Sequence, residues 1–239
     1  MWSICQKELR QFFSSLTGFV AVLLFLLLSG LLLFVFPDTN VFDEGYASMD
    51  VFFQMAPWIL LLLIPAVTMR SFSEEFRSGT YELLRTRPLT TLQLVTGKYL
   101  AALCVVVLSI LPTLVFFWTI DHLSAGGTDR GGIIGSYIGL FFLSAAFTAA
   151  GICCSSFTSN AVLSFLVSSF VCYVGYYAFE ALSRLTLFEG GPDYYVELLG
   201  MELHYRSLSG GVVDMRDLSY FISVVLLFLF ITARNLVRR

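Results

Sequence analysis

The chain has 239 residues, of which 57% are hydrophobic and only 13% charged, and its formal net charge is −3 at pH 7. Soluble domains carry about 25% charged residues, so a chain this apolar needs lipid as part of its solvent. Its length allows about six membrane spans with short loops and leaves no room for a separate soluble domain. Neither a GxxxxGK[ST] run nor a Gly-rich dinucleotide turn is present, so we expect no nucleotide cofactor on this chain.

Residues 1–16 form the first predicted element. The side chains of one face are apolar and recur at helical spacing: Trp2, Cys5, Leu9, Phe12, Phe13 and Leu16. Charged and polar residues, Lys7 and Glu8 among them, take the other side. This pattern predicts an amphipathic helix that lies in the membrane interface and leads into the first span.

Uncharged apolar runs predict six transmembrane helices, each long enough to cross about 30 Å. The runs are residues 17–36, 51–69, 99–120, 133–154, 160–180 and 217–234. Only the polar turn at 155–160 divides the uncharged stretch 131–179 into two spans. Glycines at 131, 135 and 139 allow a close helix crossing, either within the chain or between subunits. The fold class expected is therefore an all-α membrane protein.

Lysine and arginine residues concentrate on one side of the predicted spans. Ten of the 14 lie on the side of residues 1–16, 70–98 and the C-terminus, and 13 of the 17 acids lie on the other. By the positive-inside rule, both termini and the 70–98 loop are predicted to be cytoplasmic. The segment 181–216 is then extracytoplasmic.

The longest charged segment of the first two thirds, residues 70–98, lies between the second and third spans. Ser71 and Glu74 have the spacing of a capping box, which predicts a short helix starting there. Gly79 is expected to end that helix in the left-handed conformation that glycine adopts easily.

A second short helix, Tyr81–Thr86, is predicted after this glycine, capped by Thr80 and stopped by Pro88. Two short charged helices joined at a glycine would offer a compact surface to a partner. An ordinary solvated loop has the same composition, so composition alone leaves both interpretations open.

The order of residues in this segment resembles the signature of ABC-2-type transporter permeases. Residues 75–89 (EFRSGTYELLRTRPL) and 94–98 (LVTGK) carry it: a Glu, a basic residue, Gly-Thr, Glu-Leu-Leu, a Pro and then Gly-Lys. The resemblance implies the ABC-2, type V exporter-like permease fold: an interfacial N-terminal helix, six spans, cytoplasmic termini and a single transmembrane domain over residues 1–239. It also implies a bacterial inner-membrane location.

In that family the first cytoplasmic loop holds a coupling helix that docks on the ATPase subunit. The resemblance therefore implies a dimer of ATPase subunits as partner, binding ATP and Mg²⁺, and a second permease subunit, alike or different. Carried over by position, the contact residues would be Glu74, Glu75, Arg77, Gly79, Thr80, Glu82, Leu83 and Leu84.

Within the family, the chain looks most like the permease of gliding-motility-associated ABC systems, the GldF type. The matching segments are residues 1–4 (MWSI), 12–18 (FFSSLTG), 56–58 (APW), 64–70 (IPAVTMR), 139–143 (GLFFL) and 205–221 (YRSLSGGVVDMRDLSYF). This resemblance implies a role in surface movement and a possible periplasmic partner.

No residue pattern predicts catalysis, a metal site or nucleic-acid binding. His122 and His204 are far apart in sequence, and neither an HExxH nor a GxSxG run occurs. The predicted spans lack the charged residues that mark ion pathways, which disfavours an ion-coupled carrier. Two alternatives to a gliding-type permease remain: a general ABC-2 exporter of lipophilic compounds, and a non-transporting scaffold whose 70–98 loop recruits a cytoplasmic protein.

Overall fold

A computed structural model describes residues 2–36, 48–85, 90–124, 128–184 and 192–238. Every regular element within these ranges is helical, as predicted. The α-helices are α1 (Trp2–Ser14), α2 (Leu16–Phe34), α3 (Asp50–Thr68), α4 (Ser73–Ser78), α5 (Thr80–Arg85), α6 (Thr91–Ile110), α7 (Leu114–Leu123), α8 (Arg130–Ser155), α9 (Ala161–Tyr173), α10 (Phe179–Ser183), α11 (Pro192–Glu197), α12 (Met201–Ser209) and α13 (Met215–Arg238). A 3-10 turn, Leu111–Thr113, joins α6 to α7, and a π-helical stretch, Val174–Ala178, joins α9 to α10.

Among the described residues, five helical segments are long and apolar enough to cross a membrane. They are Asp50–Ser78, Thr91–Leu123, Arg130–Ser155, Ala161–Ser183 and Met215–Arg238. A sixth results if α1 and the Gly18–Phe34 part of α2, which are bent by 72°, count as one span. The predicted all-helical membrane fold is thus confirmed, and α1 and α2 match the predicted amphipathic helix and first span in position.

The bend between α1 and α2 follows from local capping. Ser15 has an extended backbone, and its hydroxyl accepts a hydrogen bond from the amide of Gly18 at 3.3 Å. Such a cap satisfies an amide that no helical carbonyl can reach, so it ends one helix and starts the next. The buried side of α1, which includes Ile4 and Cys5, packs against α6.

Helix α8 forms the centre of the bundle. It packs against α3, α6, α9, α12 and α13, and it is the most buried of the candidate spans. Small residues at 145, 146, 149, 150 and 151 let its neighbours approach closely, as is common where membrane helices cross.

The glycine repeat at the start of α8 serves packing within the chain. A Cβ atom at Gly135 would lie 2.6 Å from the carbonyl oxygen of Leu208, and one at Gly139 would lie 3.1 Å from the Leu208 Cβ. Helix α12 therefore rests directly on α8. Gly131 meets only the side chain of Asp129, so two of the three glycines make the crossing.

The helices place like charges at the same end of the bundle. The basic end contains α1, residues 70–98 as far as they are described, the turn at 155–160 and the last turn of α13. Two long-range bonds join its parts: the Tyr81 hydroxyl donates to Leu236 O at 3.1 Å, and the Asn235 side chain donates to Ser156 O at 2.8 Å. The acidic end contains residues 48–50, 121–130 and 179–216, where these are described. The assignment of the basic end to the cytoplasm rests on the positive-inside rule.

One of two predicted span boundaries agrees with the structure, and the other is shifted along the chain. The break at 155–160 is confirmed: α8 ends at Ser155, and the Asn160 side chain caps α9 by accepting from the Val162 amide at 2.9 Å. The third span, predicted from residue 99, begins as a helix at Thr91, where Thr90 and Gln93 form a capping box. Lys98 therefore lies two turns inside a helix rather than at the end of a loop.

Candidate docking site at the basic end

The corner between α4 and α5 is the most exposed part of the 70–98 segment as far as it is described. Gly79 ends α4 in the left-handed region with φ 71°, as predicted. Apart from the two neighbouring residues and the backbone of its own helix, no atom lies within 4 Å of where a Cβ of Gly79 would be. The glycine is therefore required by its backbone conformation, which costs other residues about 1–2 kcal/mol, and not by packing.

Most of the contact residues predicted from the family signature lie on this corner. Arg77, Gly79, Thr80 and Glu82 are exposed. Glu74 is half-buried and lies 3.9 Å from Arg77 in an exposed ion pair, which contributes little stability. The helix containing Leu83 and Leu84 is described, but their side chains, together with residues 86–89 and hence Pro88, lie outside the described part of the structure. The corner can therefore present a charged surface of both signs.

Glu75, the remaining predicted contact residue, points inward. Its Oε1 accepts a hydrogen bond from Lys98 Nζ at 2.8 Å, and its Oε2 is buried without a hydrogen-bond partner. The structure thus separates Glu75 from the exposed residues of the corner.

Lys98 is the centre of a buried cluster beneath the corner. Its side chain is 1% exposed, and its Nζ also donates to Glu8 Oε1 at 3.0 Å and to the Ser71 carbonyl at 2.6 Å. An ammonium group has three donors, and these three acceptors use all of them. The Nζ also lies 5.0 Å from the centre of the Phe72 ring, within the range of a cation–π contact. Lys98 therefore ties α1, the start of α4 and α6 together.

Aromatic side chains fix α5 on the other side of the corner. The rings of Phe72 and Phe76 lie 6.2 Å apart, and those of Phe76 and Tyr81 lie 5.0 Å apart, edge to face. The Tyr81 hydroxyl then bonds the Leu236 carbonyl of α13. Since Phe72 and Tyr81 are buried, the corner is held from below by packing as well as by charge.

The predicted capping box of α4 is wrong. The helix begins at Ser73, Phe72 occupies the capping position, and its side chain makes no capping bond. The Ser71 carbonyl instead accepts the Lys98 ammonium, and the Ser73 hydroxyl bonds the Met69 carbonyl. Thr80 is the first residue of α5 rather than the cap before it. The Ser71 amide donates to the Thr68 carbonyl at 3.0 Å rather than to a Glu74 side chain.

The sequence interpretation missed the roles of Lys98, Glu8 and Tyr81. A signal was present for Lys98, because a lysine inside an apolar helix requires a partner. Glu8 could not be paired with it from sequence, since the two are 90 residues apart. No group of three or more His, Cys, Asp or Glu residues in the described ranges could hold a metal ion. The features present here, a rigid exposed corner on a buried anchor, suit the binding of another protein.

A comparison with protein families agrees with this geometry. The family model described as ABC-2 family transporter protein matches residues 5–175, which include most of α1, the corner and the Lys98 cluster. The chain belongs to the ABC-2 transporter family. It is accordingly a multi-pass membrane permease component, and ATP hydrolysis in such a transporter is carried out by separate ABC ATPase subunits. No curated protein matches the chain.

Proposed function

We propose that this chain couples ATP hydrolysis to movement of its membrane helices through the corner at Arg77–Glu82. In this proposal the exposed face of the corner contacts the ATPase subunit, and Glu75 positions the corner without touching the partner. The observation that carries the proposal is the Lys98 cluster, because a docking surface can transmit force only if it is fixed to the helices behind it.

Three helices would receive a displacement of the corner. Lys98 lies on α6, and its bond to Glu8 reaches α1, which continues through the bend at Ser15 into α2. Tyr81 reaches α13 through Leu236. Buried groups transmit strain because close-packed interiors deform little. A push at the corner would therefore be shared among α1, α6 and α13, of which α6 and α13 pack against each other and against α8.

The complete transporter in this proposal contains two permease subunits and two ATPase subunits. Each permease presents one corner, and each ATPase binds ATP and Mg²⁺. The bilayer surrounds the apolar surface of the helices, and a periplasmic partner would meet the segment 181–216. The second permease is either a copy of this chain or a related one.

The coupling role can be tested on the native complex, purified through a tag on this chain with every subunit identified by mass spectrometry. Glu82→Lys reverses a charge at the proposed contact, and Gly79→Val forces a β-branched residue into the left-handed region. We expect both to reduce ATPase recovery and ATP turnover while the permease still inserts. Arg10→Glu, an exposed charge reversal on α1, and Gly79→Asn, which tolerates this backbone better, are the controls and should retain the ATPase.

Wild-type ATPase recovery and turnover in both Glu82→Lys and Gly79→Val would show that the corner is only a solvated connector. Recovery of a cytoplasmic protein without ATPase activity would favour the scaffold alternative.

At a finer level, we propose that the complex is the gliding-motility type. The support is the resemblance of six segments spread from residue 1 to residue 221. Deletion of the subunit should abolish surface movement in a gliding organism and leave its sensitivity to amphipathic toxins unchanged. Hypersensitivity to such toxins with normal movement would instead identify a general exporter of lipophilic compounds. Both traits should be measured on the same deletion strain.

A further inference from the structure

A cavity of about 460 Å³ lies at the acidic end, between α3 and α12. Helix α3 contributes Asp50, Gln54 and Trp58, and α12 contributes Glu202 and Arg206. Each set recurs at four-residue spacing, so each forms one face of its helix. The volume falls within the range of small-molecule sites, about 300–1,000 Å³. Nothing in the coupling role uses this cavity.

The cavity changes from charged to aromatic along α3. Asp50 lies at the outer end of the helix and Trp58 two turns further in, about 12 Å away at 1.5 Å per residue. The Trp58 ring lies 5.9 Å from that of Tyr176 and 5.6 Å from that of Tyr177. Trp58 is 39% exposed, so this wall of the cavity borders the lipid-facing surface. Such a gradient fits a molecule with a polar head and an apolar tail.

The aromatic walls are held in place by the backbone. The Tyr205 hydroxyl, from α12, donates to the Phe53 carbonyl of α3 at 2.7 Å and closes the inner side of the cavity. Tyr176 lies in the π-helical stretch 174–178. Single π-helical turns inside α-helices occur frequently at functional sites.

The charges around the cavity favour a cation over an anion. The Arg206 guanidinium is already paired with Glu202 and, at 3.3 Å, with Glu180, and Arg184 also pairs with Glu180. Glu202 Oε2 is buried without a hydrogen-bond partner. Asp50 is exposed at the rim, and the described part of the chain shows no ion pair for it. Three acids, Asp50, Glu180 and Glu202, surround two arginines, Arg184 and Arg206. A cation therefore meets net negative charge, the unpartnered Glu202 Oε2 and the faces of aromatic rings.

We propose that this cavity binds the ammonium head of an amphiphile from the leaflet at the acidic end. The head lies between Asp50 and Glu202, and the tail runs along the rings of Tyr176 and Trp58 into the lipid. Two sources share this chemistry, an amine-bearing phospholipid and a soluble amphiphilic amine.

The titration of Glu202 gives the proposal a second readout. Burial and the neighbouring Glu180 carboxyl raise the pKa of Glu202 to about 7. Asp50, Glu180, Arg184 and Arg206 are the other charged groups around the cavity. A bound cation favours the ionised carboxylate, so binding near pH 7 should release a proton. Affinity should therefore increase between pH 6 and pH 8.

The test uses the full chain in dodecyl maltoside, a detergent without an amine, and saturation-transfer NMR. The probe is hexylammonium, with hexan-1-ol and hexanesulfonate as neutral and anionic analogues. We expect saturable binding of the cation alone. Asp50→Asn and Glu202→Gln should each weaken it about tenfold, and Trp58→Leu should do so as well. Glu197→Gln and Trp118→Leu, outside the cavity, should leave it unchanged.

Added phospholipids identify the source. Competition by phosphatidylethanolamine, but not by phosphatidylglycerol, would assign the site to a lipid head group, and absence of competition would assign it to a soluble amine. Equal binding of hexan-1-ol, or unchanged binding in a folded Asp50→Asn, Glu202→Gln double variant, would overturn the proposal. Size-exclusion and thermal unfolding of each variant show that it is folded.

Discussion

At the basic end a buried ammonium lies between two carboxylates, whereas at the acidic end the buried carboxylate of Glu180 lies between two exposed guanidinium groups. Lys98 is 1% exposed between Glu8 and Glu75. Glu180 is 7% exposed beside Arg184 and Arg206, which are 70% and 60% exposed. Both clusters contain charges of both signs, but the sign at the centre is opposite.

This inversion gives the two ends different properties. The three protons of the Lys98 ammonium meet three acceptors, so the ammonium has one arrangement. Burial raises the pKa of Glu75, but Lys98 beside it lowers that pKa in part, whereas burial and the neighbouring Glu180 carboxyl raise the pKa of Glu202 to about 7. The acidic cluster can therefore change its charge near neutral pH. A fixed cluster suits the transmission of movement, and an adjustable one suits the binding of a cation.

Lys98→Met removes the charge at the centre of the basic cluster and should have the largest effect on stability. It leaves two carboxylates facing each other without their cation, and removing one partner of a buried ion pair costs about 3–5 kcal/mol of unfolding free energy. Denaturant unfolding in dodecyl maltoside measures the loss. Adding Glu75→Gln should restore part of it, because one uncompensated charge is then removed.

Lys7→Met is the matched control for that experiment. Lys7 lies 3.9 Å from Glu75, but its side chain is 57% exposed, so its removal should change stability by less than about 0.5 kcal/mol. Equal effects of Lys98→Met and Lys7→Met would contradict a central role for the buried ammonium.

Tyr81→Phe tests whether the hydrogen bond from α5 to α13 contributes to the rigidity of α5. The variant keeps the ring packing and loses the bond to Leu236, at a cost of about 1 kcal/mol. Amide hydrogen exchange in α5 should become faster by about fivefold, which corresponds to a free energy of about 1 kcal/mol. Tyr194→Phe, an exposed tyrosine on α11, is the control. Unchanged exchange in α5 would mean that the aromatic packing alone holds the corner.

Glu202→Gln tests the adjustable half through the pH dependence of stability. The carboxyl titrates near 7 in the folded chain, against 4.5 without the influence of the fold. Between these values the folded state binds more protons than the unfolded state, so stability falls as pH rises towards 7. The glutamine cannot titrate. The unfolding free energy of the variant minus that of the unmodified protein should therefore be larger at pH 8 than at pH 5. Thermal midpoints at both pH values measure this difference, with Glu197→Gln as control.

A pH dependence that is the same in Glu202→Gln and in the unmodified chain would show that the acidic cluster is as fixed as the basic one.

The helices were predictable because their signals are local. Apolar runs gave the spans, the polar residues at 155–160 gave the break after α8, and Gly79 gave the corner. The clusters were not predictable, because their members come from distant positions: Lys98 bonds Glu8 across 90 residues, and Arg206 bonds Glu180 across 26. The capping box at Ser71 failed for a local reason, because the Ser71 amide donates to the Thr68 carbonyl and α4 begins only at Ser73.

The bond between Tyr81 and Leu236 has a consequence for how the protein is made. The two residues are 155 positions apart, and α13 is synthesised after every other described helix. At ribosomal speeds this interval is on the order of ten seconds. During that time Glu8, Glu75 and Lys98 have already been made, while α5 still lacks its acceptor. The corner thus gains this bond only once α13 has joined the bundle, and a partner that requires it would select subunits whose membrane insertion is complete.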